Sequence, residues 1–283
     1  MADFGTDLEI ETFRTEARDW LEANFPQSLR GSSGLGNALM DGPAPSGDVL
    51  VWKQRMGAKG WGTPTWPAQY GGGGLSAQQA RVLQQEMSRI GAFNPLMAGM
   101  GVTMIGPTIL DYGTEEQKQK HIPPIVRGDV RWCVGYSEPN AGSDLASLQM
   151  KCEDAGDHWV VNGQKIWTSL AHISDWIFVV TRTEEGTKGP KGLTFLMMEL
   201  DQPGIEIRPI RQINGDAEFN GIVARGAIYA SSGLIGGALV RDCDCGTTPP
   251  GWPLWVPKAR CLTNAMPSGD IHGPKPYDIF GAW

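Results

Sequence analysis

Several features found in many proteins of this size are missing from this 283-residue sequence. No segment approaches the roughly 20 consecutive apolar residues of a membrane-spanning helix, so we expect no membrane span. No basic run offsets the net charge of −7, which argues against a nucleic-acid-binding surface. The acidic N-terminus lacks the basic and then apolar pattern of a secretion or import signal, so we expect a cytoplasmic protein.

Cysteine is also scarce, with five residues in the whole sequence, which fits a reducing compartment. Cys133 and Cys152 stand alone, and we expect both to be packed and unreactive. Cys243, Cys245 and Cys261 do not have the spacing of paired metal ligands, so the sequence predicts no metal site.

Residues 1–127 have the pattern of an all-helical domain. Apolar residues recur at helical spacing along this part of the chain. Three helix starts have the spacing of a capping box, a hydroxyl residue followed three positions later by Glu or Gln: Thr6 with Glu9, Ser76 with Gln79, and Thr114 with Gln117. The predicted helices cover residues 6–25, 47–59, 76–91, 95–112 with a break at Gly106-Pro107, and 114 to about Pro123-Pro124.

From residue 128 the pattern changes to short segments typical of β-strands. Asn162-Gly163 lies between two of them and predicts a tight hairpin turn, because both turn positions need positive φ. No helices intervene, so we predict a mainly antiparallel β-barrel domain over residues 128–220. The predicted strands cover residues 130–136, 149–153, 158–169 as a hairpin, 177–181, 193–199 and 205–210.

Two segments near the junction of the helical and β parts have the features of a site for a planar cofactor. In Tyr136–Asp144, Pro139 fixes a bend, and a flexible glycine, a hydroxyl and a carboxylate follow it. Lys165–Ser169 supplies an aromatic plane and two hydroxyls. Clefts between domains are favoured places for ligands. The simpler alternatives are that Trp167 is a core aromatic and that the loop serines only make turn hydrogen bonds.

Four motifs, in this order, make the sequence resemble the acyl-CoA dehydrogenase family. They are GWGTPTWPAQYGG from residue 60, YGTEEQK from residue 112, YSEPNAGSD from residue 136 and NGQKIWTS from residue 162. The resemblance extends from the first helix to about Asn220. It implies a helical N-terminal domain, a β-barrel middle domain and a C-terminal four-helix domain. It also implies FAD-dependent dehydrogenation of acyl-CoA between the α and β carbons, an electron-transfer flavoprotein as acceptor, and a homo-oligomer.

The resemblance also assigns eight residues to the flavin. One of them, Ser143, also matches a position that contacts the thioester end of the substrate. The indole can lie against the isoalloxazine, and hydroxyls can hydrogen-bond ring heteroatoms and so tune the cofactor. Asn140 replaces the usual glycine, and Val134 replaces a residue that is often polar in close relatives. The matching cofactor positions are Val134, Tyr136, Ser137, Gly142, Ser143, Trp167, Thr168 and Ser169.

The resemblance stops after Asn220, and no glutamate follows Glu218. Residues 221–283 are rich in Gly, Pro, Cys and Trp without helical periodicity, which predicts an irregular, poorly ordered tail. We hypothesise that this tail is translated out of frame; a diverged tail is the alternative. In the family the catalytic base is a glutamate of the C-terminal domain, so no catalytic residue is assigned. The tail offers only aspartates instead: Asp242, Asp244, Asp270 and Asp278.

Two hypotheses of different classes follow. The first is an acyl-CoA dehydrogenase that is truncated and lacks the base that its activity needs; an acyl-CoA oxidase is a weaker variant of it. The second is a catalytically inactive module that binds flavin or acyl-CoA, or that completes an assembly. Bound flavin, and its bleaching by an acyl-CoA, distinguish the two.

Overall fold

The computed structural model describes residues 4–31, 46–97, 99–187 and 192–230. Over these ranges a helical part is followed by a β part, as predicted. None of the described helices is long and apolar enough to cross a membrane. The helices are α1 (Phe4–Asn24), α2 (Gly47–Lys59), α3 (Ala77–Arg89), α4 (Gly106–Tyr112) and α5 (Glu115–Arg127).

Two of the three predicted capping boxes are present. At the starts of α3 and α5 the hydroxyl of Ser76 or Thr114 accepts a hydrogen bond from the backbone N–H of Gln79 or Gln117. The side-chain oxygen of that glutamine in turn accepts a hydrogen bond from the backbone N–H of the capping residue. The third prediction is wrong, because α1 begins at Phe4, ahead of Thr6. Thr6 therefore lies within the first turn instead of capping it.

The predicted end of the last helix at Pro123-Pro124 is wrong, because α5 continues to Arg127 and ends at Gly128 with a left-handed φ of 69°. Each proline removes one helical N–H donor. Ile122 and Ile125 are buried in the core on either side of the prolines, and this packing offsets the lost hydrogen bonds.

The predicted break at Gly106-Pro107 is a change of helix type. A π-helical turn, Gly101–Ile105, leads directly into α4, and Gly106 keeps helical angles. The Gly106 N–H bonds to the carbonyl of Gly101, five residues back. The backbone therefore stays helical through the position where the sequence suggested an interruption.

The β part is one curled, half-barrel sheet of seven strands. The strands are β1 (Trp132–Gly135), β2 (Lys151–Asp154), β3 (His158–Ser169), β4 (Trp176–Arg182), β5 (Leu193–Glu199), β6 (Ile205–Pro209) and β7 (Phe219–Ala230). Their order in the sheet is β1-β4-β2-β3-β7-β6, and β5 also pairs with β4.

The sheet is mixed, which corrects the prediction of an antiparallel barrel. Both β1 and β2 run parallel to β4, while the other ladders are antiparallel. A parallel pair needs a long crossover, and here that crossover is built from loops and other strands instead of a helix. The absence of helices therefore did not imply antiparallel pairing.

The predicted hairpin at Asn162-Gly163 is also wrong, because β3 is one continuous strand of 12 residues. A register shift against β7 lies between Val161 and Asn162, and the Asn162 Oδ1 accepts a hydrogen bond from the Gly226 backbone N–H at 2.8 Å. A Cβ on Gly163 would lie 2.8 Å from the Met150 Cα. The glycine thus permits a bulge and the close approach of β2.

Regular structure continues past the predicted boundary at residue 220, because β7 extends to Ala230 and pairs with β3 and β6. The first ten residues of the predicted irregular tail are therefore strand. Residues 231–283 lie outside the described residues. They include the four aspartates and most of the segment for which we hypothesised translation out of frame.

The strands place alternate side chains in two cores. Cys133, Ile177 and Val179 face the interior of the curled sheet, where Cys152 is also buried. Both cysteines are at most 1% exposed, which confirms that they are packed, and this burial raises the pKa of both thiols to about 12. The opposite face, with Trp132, packs on α4 and α5, so helices and sheet share one core at their junction.

Candidate functional site

The loop of residues 136–150, between β1 and β2, lies against β3. The backbone N–H of Ile166 donates to the carbonyl of Ser137 at 2.9 Å. This contact brings together the two segments that the sequence predicted as one site, since Trp167 directly follows Ile166. Among the described residues, however, no hydrogen bond or ring contact joins Ser143 to Trp167.

Trp167 lies on a strained bulge at the end of β3. The register against β7 shifts between Lys165 and Thr168, and Trp167 has a φ of 61°. Its side chain is 56% exposed and meets the ring of Phe219 edge-on at 6.0 Å. The alternative of a core aromatic is therefore wrong. A strained backbone that presents a large apolar plane to solvent is typical of a binding site.

Thr168 carries a buried hydroxyl without a partner in the described part of the chain. Its side chain is 1% exposed, and Oγ1 makes no hydrogen bond there. Its carbonyl accepts a hydrogen bond from the buried Asn220 Nδ2 at 3.0 Å. The neighbouring Ser169 is also buried. Because buried polar atoms are nearly always satisfied, the orphaned hydroxyl indicates a missing ligand atom or water.

The predicted flavin positions from Val134 to Ser143 divide into a packed start and an exposed tip. Val134 and Tyr136 pack towards the cores, and the Tyr136 ring lies edge-on to Phe195 at 5.8 Å. Burial raises the pKa of the Tyr136 phenol above its ordinary value. Both side chains therefore point inward, leaving mainly their backbone for a ligand.

At the tip, Gly142 and Ser143 are exposed, and a Cβ on Gly142 would meet nothing within 4 Å. Within the described ranges the hydroxyls of Ser137 and Ser143 make no hydrogen bonds, so turn bonding does not account for them. Both hydroxyls are free to serve a ligand.

Three charged residues beneath the loop were given no role from the motifs: Glu138, Lys165 and Arg182. Lys165 is fully buried, and Glu138 is 8% exposed. A signal for Lys165 was present, because alternation along β3 places it on the buried face with Trp159 and Val161.

The residues present fit a flavin. An exposed indole plane, buried and exposed hydroxyls and an open glycine lie on one loop-and-strand unit. A flat heterocycle with several hydrogen-bonding atoms would cover the indole and satisfy the Thr168 hydroxyl. Across the described ranges no group of three metal-ligating side chains occurs.

Two family models match consecutive parts of the chain. The acyl-CoA dehydrogenase N-terminal domain matches residues 8–129, and the acyl-CoA dehydrogenase middle domain matches residues 133–220. Together they cover most of the helical part and of the sheet, including every predicted flavin position.

Similar curated proteins carry the same family name. Acyl-CoA dehydrogenase IpdE1 of Mycolicibacterium smegmatis is 42% identical over 227 residues, which is 75% of this chain and 56% of that protein. Its namesake from Mycobacterium tuberculosis is 43% identical over 216 residues, 75% of this chain and 54% of that protein. The chain thus spans about half the length of these relatives.

Solved structures agree in fold. A structure named Tcur3481-Tcur3483 steroid ACAD is 31% identical with a TM-score of 0.60, over 81% of this chain and 57% of that one. The ChsE4-ChsE5 complex from Mycobacterium tuberculosis is 29% identical with a TM-score of 0.59, over 81% and 56%. These relatives favour the dehydrogenase hypothesis over the inactive module. Through its helical part and its sheet, the chain belongs to the acyl-CoA dehydrogenase family.

Proposed function

We propose that this chain carries the flavin-binding part of an FAD-dependent enzyme that dehydrogenates acyl-CoA thioesters between the α and β carbons. The observation that supports it most is the strained, exposed Trp167 beside the unpartnered buried hydroxyl of Thr168. The proposal includes an electron-transfer flavoprotein as acceptor and a homo-oligomeric assembly, by analogy with the family.

In this proposal the side chains hold and orient the cofactor. The Trp167 indole would lie against the isoalloxazine, and the hydroxyls of Thr168, Ser169 and Ser137 would hydrogen-bond its heteroatoms. FAD, when bound, accepts the hydride that leaves the β carbon. Fixed hydrogen-bond donors around the ring favour its electron-rich reduced form.

Proton removal from the α carbon requires a positioned carboxylate. Glu138 is the buried carboxylate of the loop motif, but it is not suited to that role. Its two oxygens already accept hydrogen bonds from Lys165 Nζ and from the backbone N–H groups of Gln149 and Met150. We therefore assign Glu138 no proton-transfer role.

The Thr168→Val variant tests the flavin site because it should preserve or raise stability while it lowers FAD affinity. Valine removes an unsatisfied buried hydroxyl, so the flavin-free variant should be as stable as wild type or more stable by up to about 1 kcal/mol. Its Kd for FAD should rise about tenfold, which corresponds to about 1.4 kcal/mol for one lost hydrogen bond. Urea denaturation and FAD titration measure the two effects.

Thr63→Val is the matched control, because Thr63 also carries a buried hydroxyl without a partner in the described ranges, within the helical part. It should change stability as Thr168→Val does and leave FAD affinity unchanged. A wild-type chain that binds no FAD, or equal FAD affinity in both variants, would contradict the proposed site.

Anaerobic addition of acyl-CoA to the flavin-loaded chain tests the reaction. Bleaching of the flavin absorbance at an enzyme-like rate is expected where a carboxylate outside the described residues removes the α proton. Flavin that binds but stays oxidised with every substrate would favour a binding module. Because one similar solved structure is named a steroid ACAD, the substrates should include a steroid-derived acyl-CoA beside straight chains. Rapid reoxidation by oxygen would indicate an oxidase.

A further inference from the structure

Lys165 is a buried cation directly beneath the loop of residues 136–150. Its side chain has no solvent exposure, and Nζ donates to the carbonyl of Tyr136 at 3.0 Å and to Glu138 Oε1 at 2.9 Å. Burial lowers the pKa of Lys165 to about 8, against the opposing effect of Glu138. A buried ammonium persists only with well-placed partners, and both partners belong to the loop.

Glu138 joins the two ends of the loop. Its Oε2 accepts the backbone N–H of Gln149 at 2.7 Å, and its Oε1 accepts that of Met150 at 2.9 Å. Its own backbone is bridged to Ala141 by two hydrogen bonds of 2.8 and 3.1 Å, which close the bend at Pro139-Asn140. One carboxylate therefore connects the start of the loop, its last residues and β3.

Arg182 holds the second half of the loop from the end of β4. Its guanidinium donates to the carbonyls of Ala146 at 2.9 Å and Leu148 at 3.3 Å. Its backbone N–H donates to the carbonyl of Met150 at 2.8 Å. Its positive charge interacts favourably with the negative charge of Glu138. Together, the buried Glu138 and Lys165 and the half-buried Arg182 form a cluster that we call the loop clamp.

The clamp fixes the base of the loop and leaves its tip exposed. Gly142, Ser143 and Asp144 are exposed, while Glu138, Leu148 and Met150 below them are buried. Lys165 also lies two residues before Trp167 on the same strand. The clamp thus links both segments of the candidate flavin site through one hydrogen-bonded network.

We infer that the loop clamp positions the flavin-binding loop before the cofactor arrives, so that Glu138 and Lys165 are positioning residues of the flavin site. The inference rests on the proposed function. Its physical reason is preorganisation: a loop already ordered by the fold loses little conformational entropy when a ligand binds, and affinity rises accordingly. A clamp that served stability alone would not change affinity between equally folded proteins.

The test compares wild type with Glu138→Gln, Lys165→Met and the double variant, which removes both buried charges and is the variant most expected to fold. Hydrogen exchange of the flavin-free proteins reports loop order, and FAD titration reports affinity. We expect amides 149 and 150 to exchange at least tenfold faster in the variants, and their Kd for FAD to rise tenfold or more. Both measurements are made well below the temperature at which each variant unfolds.

Lys59→Met is the control, since it breaks a lysine–glutamate ion pair with Glu16 in the helical part. It should alter neither loop exchange nor FAD affinity. Unchanged FAD affinity in all three clamp variants overturns the inference, as does unchanged loop exchange. A wild-type chain without FAD affinity overturns the proposed function and, with it, this inference. Wild-type binding with unaffected variants overturns the inference alone.

Discussion

At the scale of single residues, Glu86 is a buried carboxylate among three arginines between α1 and α3. Glu86 is 3% exposed although it is a carboxylate. The arginines around it, which hydrogen-bond its oxygens, hold its pKa at about 2. The bonded guanidinium atoms lie at 3.4, 3.1 and 2.8 Å and belong to Arg14, Arg18 and Arg89. Helical periodicity predicted both helices but gave no indication of this contact between them.

Glu86→Gln should lower the free energy of unfolding by about 2 kcal/mol at neutral pH, because charge-assisted hydrogen bonds are lost at a buried position. The Glu86 pKa is lower in the folded state than its ordinary 4.5. Wild-type stability from this group is therefore full above about pH 4.5 and falls as the pH drops towards 2.

Urea denaturation between pH 7 and pH 3 checks this prediction. The variant should lose less stability than wild type over the acidic part of that range. Glu16→Gln, at an exposed ion pair, should cost less than about 1 kcal/mol. Parallel pH profiles for wild type and Glu86→Gln would contradict the assignment.

At the scale of elements, the π-helical turn and α4 pack closely on the loop that contains Trp66. A Cβ on Gly106 would lie 2.0 Å from the Trp66 ring and 2.8 Å from the Gly101 carbonyl oxygen. Gly106 has ordinary helical angles, so the glycine is required by packing and not by its backbone conformation. The sequence placed an irregularity here, but the partner across the contact came from 40 residues earlier.

Gly106→Ala should therefore destabilise the chain by about 3 kcal/mol, although Gly→Ala within a helix normally stabilises. The measurement is the urea midpoint at constant m-value. Gly142→Ala, where a Cβ would meet nothing within 4 Å, should change stability by less than about 0.5 kcal/mol. Equal stabilities for the two variants would show that Trp66 moves aside.

Elements were predicted well where the signal was local. The boundaries of α2 and β5 follow from residues next to one another in sequence, and the capping boxes of α3 and α5 act within one turn. The mixed sheet and the continuous β3 were missed, because strand pairing joins residues far apart. Asn162-Gly163 has the same local preference in a turn and in a bulge, and only the approach of β2 and β7 decides between them.

At the scale of the whole molecule, helices and sheet share one core. Trp132 and Trp176 stack at 5.4 Å, and the ring of His121 from α5 lies edge-on to them at 5.7 and 5.0 Å. Burial lowers the pKa of His121 to about 4, so it stays neutral near pH 7. This aromatic cluster joins α5 to β1 and β4.

Trp132→Ala should destabilise the chain by about 4 kcal/mol, the usual range for a large aromatic removed from a core. Because the core is shared, loss of helix measured by circular dichroism and exposure of the sheet amides measured by hydrogen exchange should remain coincident as urea is added. Ile228→Ala, at a side chain that is 58% exposed, should have little effect. Helices that unfold separately from the sheet would contradict a shared core.

The sequence by itself determined the family, the change from helical to β structure near residue 128, and the two segments of the candidate flavin site. Those features depend on motifs and periodicities within a few residues of each other. The tertiary structure alone decided that β1 and β2 run parallel to β4, that Trp167 lies exposed on a bulge, and that Thr168 keeps a buried hydroxyl. It also revealed the loop clamp. These features depend on contacts between distant residues, which no local pattern encodes.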